Sequence, residues 1–194
     1  MERLTERKKV TRIEGGTRRC CADRVVVEAP LAIFLNGEKL VTLLCTPEKQ
    51  ESLVLGFLRS GGLLDSLDDL GRLELSEDGT SARVELEGDS ASLEQIRGKR
   101  TITPGGGRGT LFMSAADGLR GPPVPGEGLT LRVEQICSLM DDLQERARIF
   151  RATGGTHSAA LADGCKIIIF CEDIGRHNAV DKVIGESLLR GIPM

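Results

Sequence analysis

The chain has 194 residues, with 26 Lys and Arg against 29 Asp and Glu, six Cys, five Phe, and neither Trp nor Tyr. That length buries a core without disulfides or metal, as one domain or two small lobes, and 40% hydrophobic with 28% charged residues is globular composition. Disorder throughout and a strongly basic nucleic-acid binder are excluded.

Phe34, Phe57, Phe112, Phe150 and Phe170 each sit in an apolar stretch, so an aromatic platform for single-stranded nucleic acid is not expected. No window approaches the roughly 18 consecutive apolar residues of a membrane span. The start MERLTERKKVTRIEGG lacks the apolar run of a secretory leader. Both features predict a cytoplasmic protein without membrane contact. Cys20, Cys21, Cys45, Cys137, Cys165 and Cys171 have no framework spacing and no C-x-x-C, which predicts free thiols.

Residues 1–22 hold seven of the 26 basic residues and few apolar ones, and read as a basic flexible tail. A β-rich N-terminal lobe is predicted over 23–130. RVVVEAP-LAIFL and EKLVTLLC flank Asn36-Gly37, a dipeptide that tolerates the positive φ of a tight hairpin. Thr46-Pro47 predicts a helix N-cap and first helical residue, with Leu53, Val54, Phe57 and Leu58 as the core face before Gly61-Gly62. Leu73/Leu75 and Val84/Leu86 alternate about residues 77–80, as in a second hairpin with one wet face. A short helix over 90–97 and a strand over 100–103 follow, then the glycine-rich loop 104–109 and an irregular stretch, 115–128.

The segment 131–194 reads as an α/β core. Ile136, Met140, Leu143, Ala147 and Phe150 recur at helical steps and predict one amphipathic helix over 133–151. Two strands about Asp163-Gly164 come next, the second with the apolar run 167–170 of a buried strand. A last helix over 176–190 should bury Val180, Val183, Ile184 and Leu188. The densest polar constellation, 171–178, leaves the end of that strand and enters this helix, a place where α/β proteins bind anions. Both His of the chain, His157 and His177, flank the same strand.

Thr153-Gly154-Gly155-Thr156-His157, with Glu172-Asp173-Ile174-Gly175-Arg176-His177-Asn178, resembles the signature of the FdhD family of formate dehydrogenase accessory proteins. Glu28-Ala29-Pro30-Leu31 and Cys45-Thr46-Pro47 resemble the family's early pattern, so the likeness spans about 23–191. It implies a cytidine-deaminase-like α/β (α+β) core with a smaller β-rich lobe. It also implies a maturation factor that binds the bis-molybdopterin guanine dinucleotide form of the molybdenum cofactor, with GDP as a mimic. The implied partners are a cysteine desulfurase, which supplies sulfur for transfer to the cofactor, and formate dehydrogenase. Carried over by motif, Thr153, Gly154, Gly155 and His157 form one wall of the cofactor cleft, and Glu172, Asp173, Gly175, Arg176, His177 and Asn178 the other. Arg176 and Arg108 are the candidates to grip an oxyanion. Asp181 and Lys182 read either as part of this motif or as a solvated face pairing with Arg176 and Glu186.

Family members are thought to carry sulfur as a persulfide on a cysteine of the glycine-rich loop. Here that stretch contains Gly105, Gly106, Gly107 and Arg108 and no cysteine. A substituted sequence, a family member without transferase activity, and relocation of the thiol to Cys20 or Cys21 beside Arg18 and Arg19 all stay open. The resemblance further implies a longer C-terminal segment, whose absence suggests a shortened chain or a homodimer covering the last helix. Two rivals follow. One is a non-catalytic cofactor-binding or chaperone module. The other is a zinc hydrolase, which lacks its H-x-E and P-C-x-x-C ligands, so no metal is expected.

Overall fold

The computed structural model describes residues 3–87, 100–101, 110–111 and 130–193. The N-terminal expectation of a flexible tail gives way to an ordered ribbon. β1 (Thr5–Glu14) pairs antiparallel with β2 (Thr17–Val26), from Thr5 opposite Val26 to Glu14 opposite Thr17. Gly15 and Gly16, with φ of 55° and 80°, close the turn. Charge density alone suggested a tail. Val10, Thr11 and Ile13 supply strand propensity, and cross-strand pairs such as Arg12–Asp23 at 3.2 Å match the charges.

β3 (Ala29–Leu35) and β4 (Glu38–Cys45) form the expected hairpin, with Asn36 and Gly37 at φ 47° and 83°. β5 (Leu70–Leu75) and β6 (Ser81–Leu86) form the second. β6 runs parallel to β3, giving a four-stranded sheet of order β4-β3-β6-β5. Leu31, Ile33, Leu35, Leu43, Ala82 and Val84 bury one face of it under helix α1 (Gln50–Ser60), through Leu53, Val54, Phe57 and Leu58. The helix starts later than Thr46-Pro47 predicts: its cap residue is Lys49, held left-handed at φ 50°, ψ 44°. Thr46 is engaged elsewhere, as described below. Short strands β7 (Arg100–Thr101) and β8 (Thr110–Leu111) pair antiparallel. The expected helix 90–97, the loop 104–109 with Gly105, Gly106, Gly107 and Arg108, and the stretch 115–128 lie outside the described residues.

The single helix expected over 133–151 is two, α2 (Val133–Arg146) and α3 (Arg148–Thr153). Ala147, at φ −71° and ψ 69°, ends one and caps the other. The break has a tertiary cause: the buried Glu172 carboxylate accepts hydrogen bonds from the amides of Ile149 and Phe150 at 3.1 and 2.9 Å, and so fixes a new helix start. Ile136, Met140 and Phe150, expected to face the core, are each about half exposed.

β9 (His157–Ala162) and β10 (Ile167–Asp173) pair antiparallel about Asp163-Gly164. α4 (Arg176–Leu189) packs on this pair and on α1. The N- and C-terminal segments meet along the α1–α4 crossing. Val180, expected inside α4, is 49% exposed, whereas Asp181 and Lys182 are 1% and 0% exposed. The solvated-face reading of those two residues is thereby corrected. A polar network about Asp181 and Lys182 joins the apolar contacts of Ala179, Val183 and Leu188 in seating α4. The assembly is a mixed α/β fold of the α+β kind.

Candidate functional site

At the carboxyl end of β10 the chain places two carboxylates in succession, and both point inward. Asp173 is fully buried and occupies all its lone pairs. Its Oδ1 accepts from the Gly175 amide at 2.8 Å and from Asn178 Nδ2 at 2.9 Å. Its Oδ2 accepts from the Thr46 amide at 3.0 Å and lies 2.6 Å from Lys182 Nζ. The Lys182 ammonium also donates to the Thr46 carbonyl at 3.1 Å and the Glu172 carbonyl at 3.4 Å. The Thr46 hydroxyl accepts from the Ile174 amide at 3.1 Å, and Asn178 Nδ2 donates to the Leu44 carbonyl at 2.9 Å. A buried charge requires such complete pairing. Backbone groups of Thr46, Glu172 and Gly175 converge on one ion pair, which fixes how β10 turns into α4.

Glu172 does the equivalent for the other motif. Besides capping α3, its Oε1 accepts from the Thr156 hydroxyl at 3.0 Å. The turn between α3 and β9 is locked further by Thr153, whose hydroxyl donates to Ile149 O at 2.8 Å and accepts from the Gly155 amide at 3.1 Å. Gly154 sits at φ 67° as the left-handed cap of α3, and a Cβ on Gly155 would come 2.9 Å from Val26 Cγ1. Both motifs thus lie at one end of the β9–β10 pair, where His157 stands opposite Asp173.

The motif residues separate by exposure. Glu172, Asp173 and Asn178 are buried; Thr153, Gly155, Gly175 and His177 are half-buried; Gly154, His157 and Arg176 are exposed. Arg176 is the first residue of α4, and its cap, Gly175, brings no side chain to the helix start. A Cβ on Gly175 would meet Asn178 Nδ2 at 2.8 Å, so the position holds the turn close to its own helix. A guanidinium beside the amides of a helix N-terminus is a donor set suited to an oxyanion. Among the described residues, no three His, Cys, Asp or Glu side chains converge to hold a metal ion.

The supporting roles of Thr46 and Lys182, and the glycines of the helix crossing, are what sequence reasoning missed. A Cβ on Gly56 would stand 1.7 Å from the Asp181 carbonyl oxygen, and one on Gly185 1.9 Å from that of Ser52. Asp181 is reached from α1 by the Ser60 hydroxyl at 2.8 Å. The spacing of Asn178, Lys182 and Gly185 along one helical face is the signal that was present in the sequence.

All six cysteines fall in described segments. Cys45 and Cys171 are buried beside the polar knot; Cys20, Cys137 and Cys165 are exposed and Cys21 is intermediate. Burial, reinforced by the Asp173 charge, pushes the Cys45 thiol up to about 11. Burial also raises Cys171, opposed by the Lys49 ammonium 3.6 Å from its sulfur.

The sequence profile of the FdhD/NarQ family matches residues 26–194. The sulfur carrier protein FdhD of Bacillus licheniformis is 35% identical over 191 residues, which is 98% of this chain and 72% of that protein. The protein of the same name from Listeria innocua is 36% identical over 189 residues, 97% of this chain and 72% of that one. The fold also matches the crystal structure of a formate dehydrogenase accessory protein from Desulfotalea psychrophila. The TM-score is 0.68 at 23% identity, over 96% of this chain and 69% of the other. Among the described residues, no helix is long and apolar enough to cross a membrane. On the extent of these matches, the chain belongs to the FdhD/NarQ family.

Proposed function

We propose that this chain is a formate dehydrogenase maturation factor that holds the guanine dinucleotide end of the bis-molybdopterin guanine dinucleotide cofactor at the start of α4. The observation that carries the reading is the division of labour at the end of β10. Glu172, Asp173 and Asn178 hold the backbone, while Arg176 and His157 stand exposed beside an uncapped helix start. That donor set fits a pyrophosphate, which a guanidinium and helix amides grip together. The cofactor, when bound, brings the redox metal that formate oxidation needs; the chain binds and orients the nucleotide.

Sulfur transfer is the second half of the proposal, with a cysteine desulfurase as donor. The carrier thiolate would attack the terminal sulfur of the donor's persulfide, forming its own persulfide and releasing the donor thiolate. Relatives named sulfur carriers support this half. One observation favours a reading without it, a cofactor-binding chaperone in the same pathway. No cysteine lies in the glycine-rich loop, and the two thiols at the knot are buried and raised above their ordinary values.

Calorimetric titration with GDP tests the binding half. Saturable binding that weakens in Arg176→Ala supports it, and absence of binding overturns it. Mass spectrometry after exposure to a desulfurase and cysteine tests the other half. A persulfide on any cysteine supports the carrier; none on any cysteine leaves the chaperone.

A further inference from the structure

The β1–β2 ribbon touches the site only at its base, where Val26 packs against Gly155, and its two faces differ in charge. Directly opposite residues share a face, so the register separates the ribbon into two sets. One face carries Glu6, Lys8, Val10, Arg12 and Glu14 against Val25, Asp23, Cys21, Arg19 and Thr17. Every acid of the ribbon is there, and each is paired: Lys8–Glu6 at 2.9 Å, Arg12–Asp23 at 3.2 Å and Arg19–Glu14 at 3.3 Å.

The other face carries Arg7, Lys9, Thr11 and Ile13 against Arg24, Ala22, Cys20 and Arg18. It has four cations and no acid, and among the described residues none of the four makes an ion pair. Thr11, Cys20 and Ala22 make a small, weakly polar centre between those cations, and Ile13, at the distal end opposite Arg18, is 70% exposed. Residues 11–20 are exposed without exception, so the distal half of the ribbon stands clear of the body. A strand of 10 residues spans roughly 30 Å. Ionic screening acts over about 8 Å at physiological salt. Arg18, in the distal half, is therefore screened from the acidic remainder of the chain, while Arg7, Lys9 and Arg24 lie in the half nearer the body.

We propose that this face of the ribbon is a docking surface for a carboxylate-rich patch on the surface of formate dehydrogenase. The identity of the partner rests on the maturation reading above. The chemistry of the partner rests on the ribbon: uncompensated cations demand acids opposite them, and a weakly polar centre within a charged rim is the anatomy of a protein contact.

The test is the affinity of the full chain for purified formate dehydrogenase apoenzyme, measured by interferometry at low and physiological salt. The variants are Arg7→Glu/Lys9→Glu/Arg18→Glu and, separately, Ile13→Asp. GDP titration and circular dichroism accompany every sample. The expected result is binding by the parent chain that falls about tenfold or more in the triple variant and weakens with salt, with GDP affinity unchanged. Ile13→Asp should weaken binding while leaving the cations in place, which keeps the proposal testable if the triple variant misfolds. Equal affinity of parent and variants overturns the docking surface, as does failure of the parent to bind. Tighter binding of duplex DNA than of the enzyme replaces it with a nucleic-acid surface. Loss of GDP binding in the parent is a separate readout and overturns the site at α4 instead.

Discussion

The Asp173 carboxylate and the Lys182 ammonium meet at 2.6 Å with neither residue exposed to solvent. A pair this enclosed contributes little net stability, because desolvation offsets the attraction. Its consequence is one of place. It ties the β4–α1 junction at Thr46 to the end of β10 and to α4, so the start of α4 has one orientation.

Removing one member leaves the other charged and uncompensated. Lys182→Met is expected to destabilise the chain by about 3–5 kcal/mol, measured by urea unfolding. The double variant Asp173→Asn/Lys182→Met, which removes both charges, should recover part of that loss. A single-variant loss below about 1 kcal/mol would show that the pair is solvated in solution.

The α1–α4 crossing depends on two residues without a Cβ. In Gly56→Ala or Gly185→Ala the added carbon meets backbone oxygen at 1.7 or 1.9 Å, which no rotamer change relieves. The helices must separate, and overpacking of this kind costs about 1–3 kcal/mol or more. Calorimetric melting should show a lower Tm in both variants. An unchanged Tm would mean that the helices are not in contact there.

Legibility in the sequence followed the range of the interactions. Asn36-Gly37 identifies its hairpin because few residue pairs tolerate two successive positive φ angles, a purely local constraint. Gly15-Gly16 has the same local character, with φ of 55° and 80°, between strands whose charge density resembles that of a tail. Thr46-Pro47 looked like a cap because that pattern is local, whereas the Thr46 hydroxyl bonds to an amide 128 residues away. The split of α2 from α3 was unreadable for the same reason, since the carboxylate that caps α3 lies 22 residues on from Phe150. For Lys182 the sequence left the motif and a solvated face both open, and only its meeting with Asp173 makes burial tenable. The signature motifs meet at one end of the β9–β10 pair, but which of their residues face inward depends on partners distant in the chain.

The thiols should react in two classes. Brief alkylation of the native chain, followed by mass spectrometry, is expected to label Cys20, Cys137 and Cys165 and to spare Cys45 and Cys171. The raised Cys45 value also fixes a sign for stability. The folded state keeps its proton up to about 11, whereas the unfolded thiol loses it near 9. Between those values the native state binds more protons, so stability falls as pH rises from 9 towards 11. Cys45→Ser should flatten that fall; a slope identical to the parent would assign it to other groups.

The signature residues should divide by what they lose when truncated. Glu172→Ala strips the Ile149 and Phe150 amides and the Thr156 hydroxyl of their acceptor inside the fold. A loss of about 1–3 kcal/mol in unfolding free energy is expected, as for other unsatisfied buried donors. Arg176→Ala removes an exposed side chain and should change stability by no more than about 0.5 kcal/mol. Its effect belongs in ligand affinity, where loss of one charge-assisted contact corresponds to about 1.5–3 kcal/mol. Paired urea unfolding and GDP titration on both variants separates the two roles. If Glu172→Ala is as stable as the parent, the carboxylate does not cap α3. If Arg176→Ala binds GDP as tightly as the parent, the anion site lies away from the start of α4.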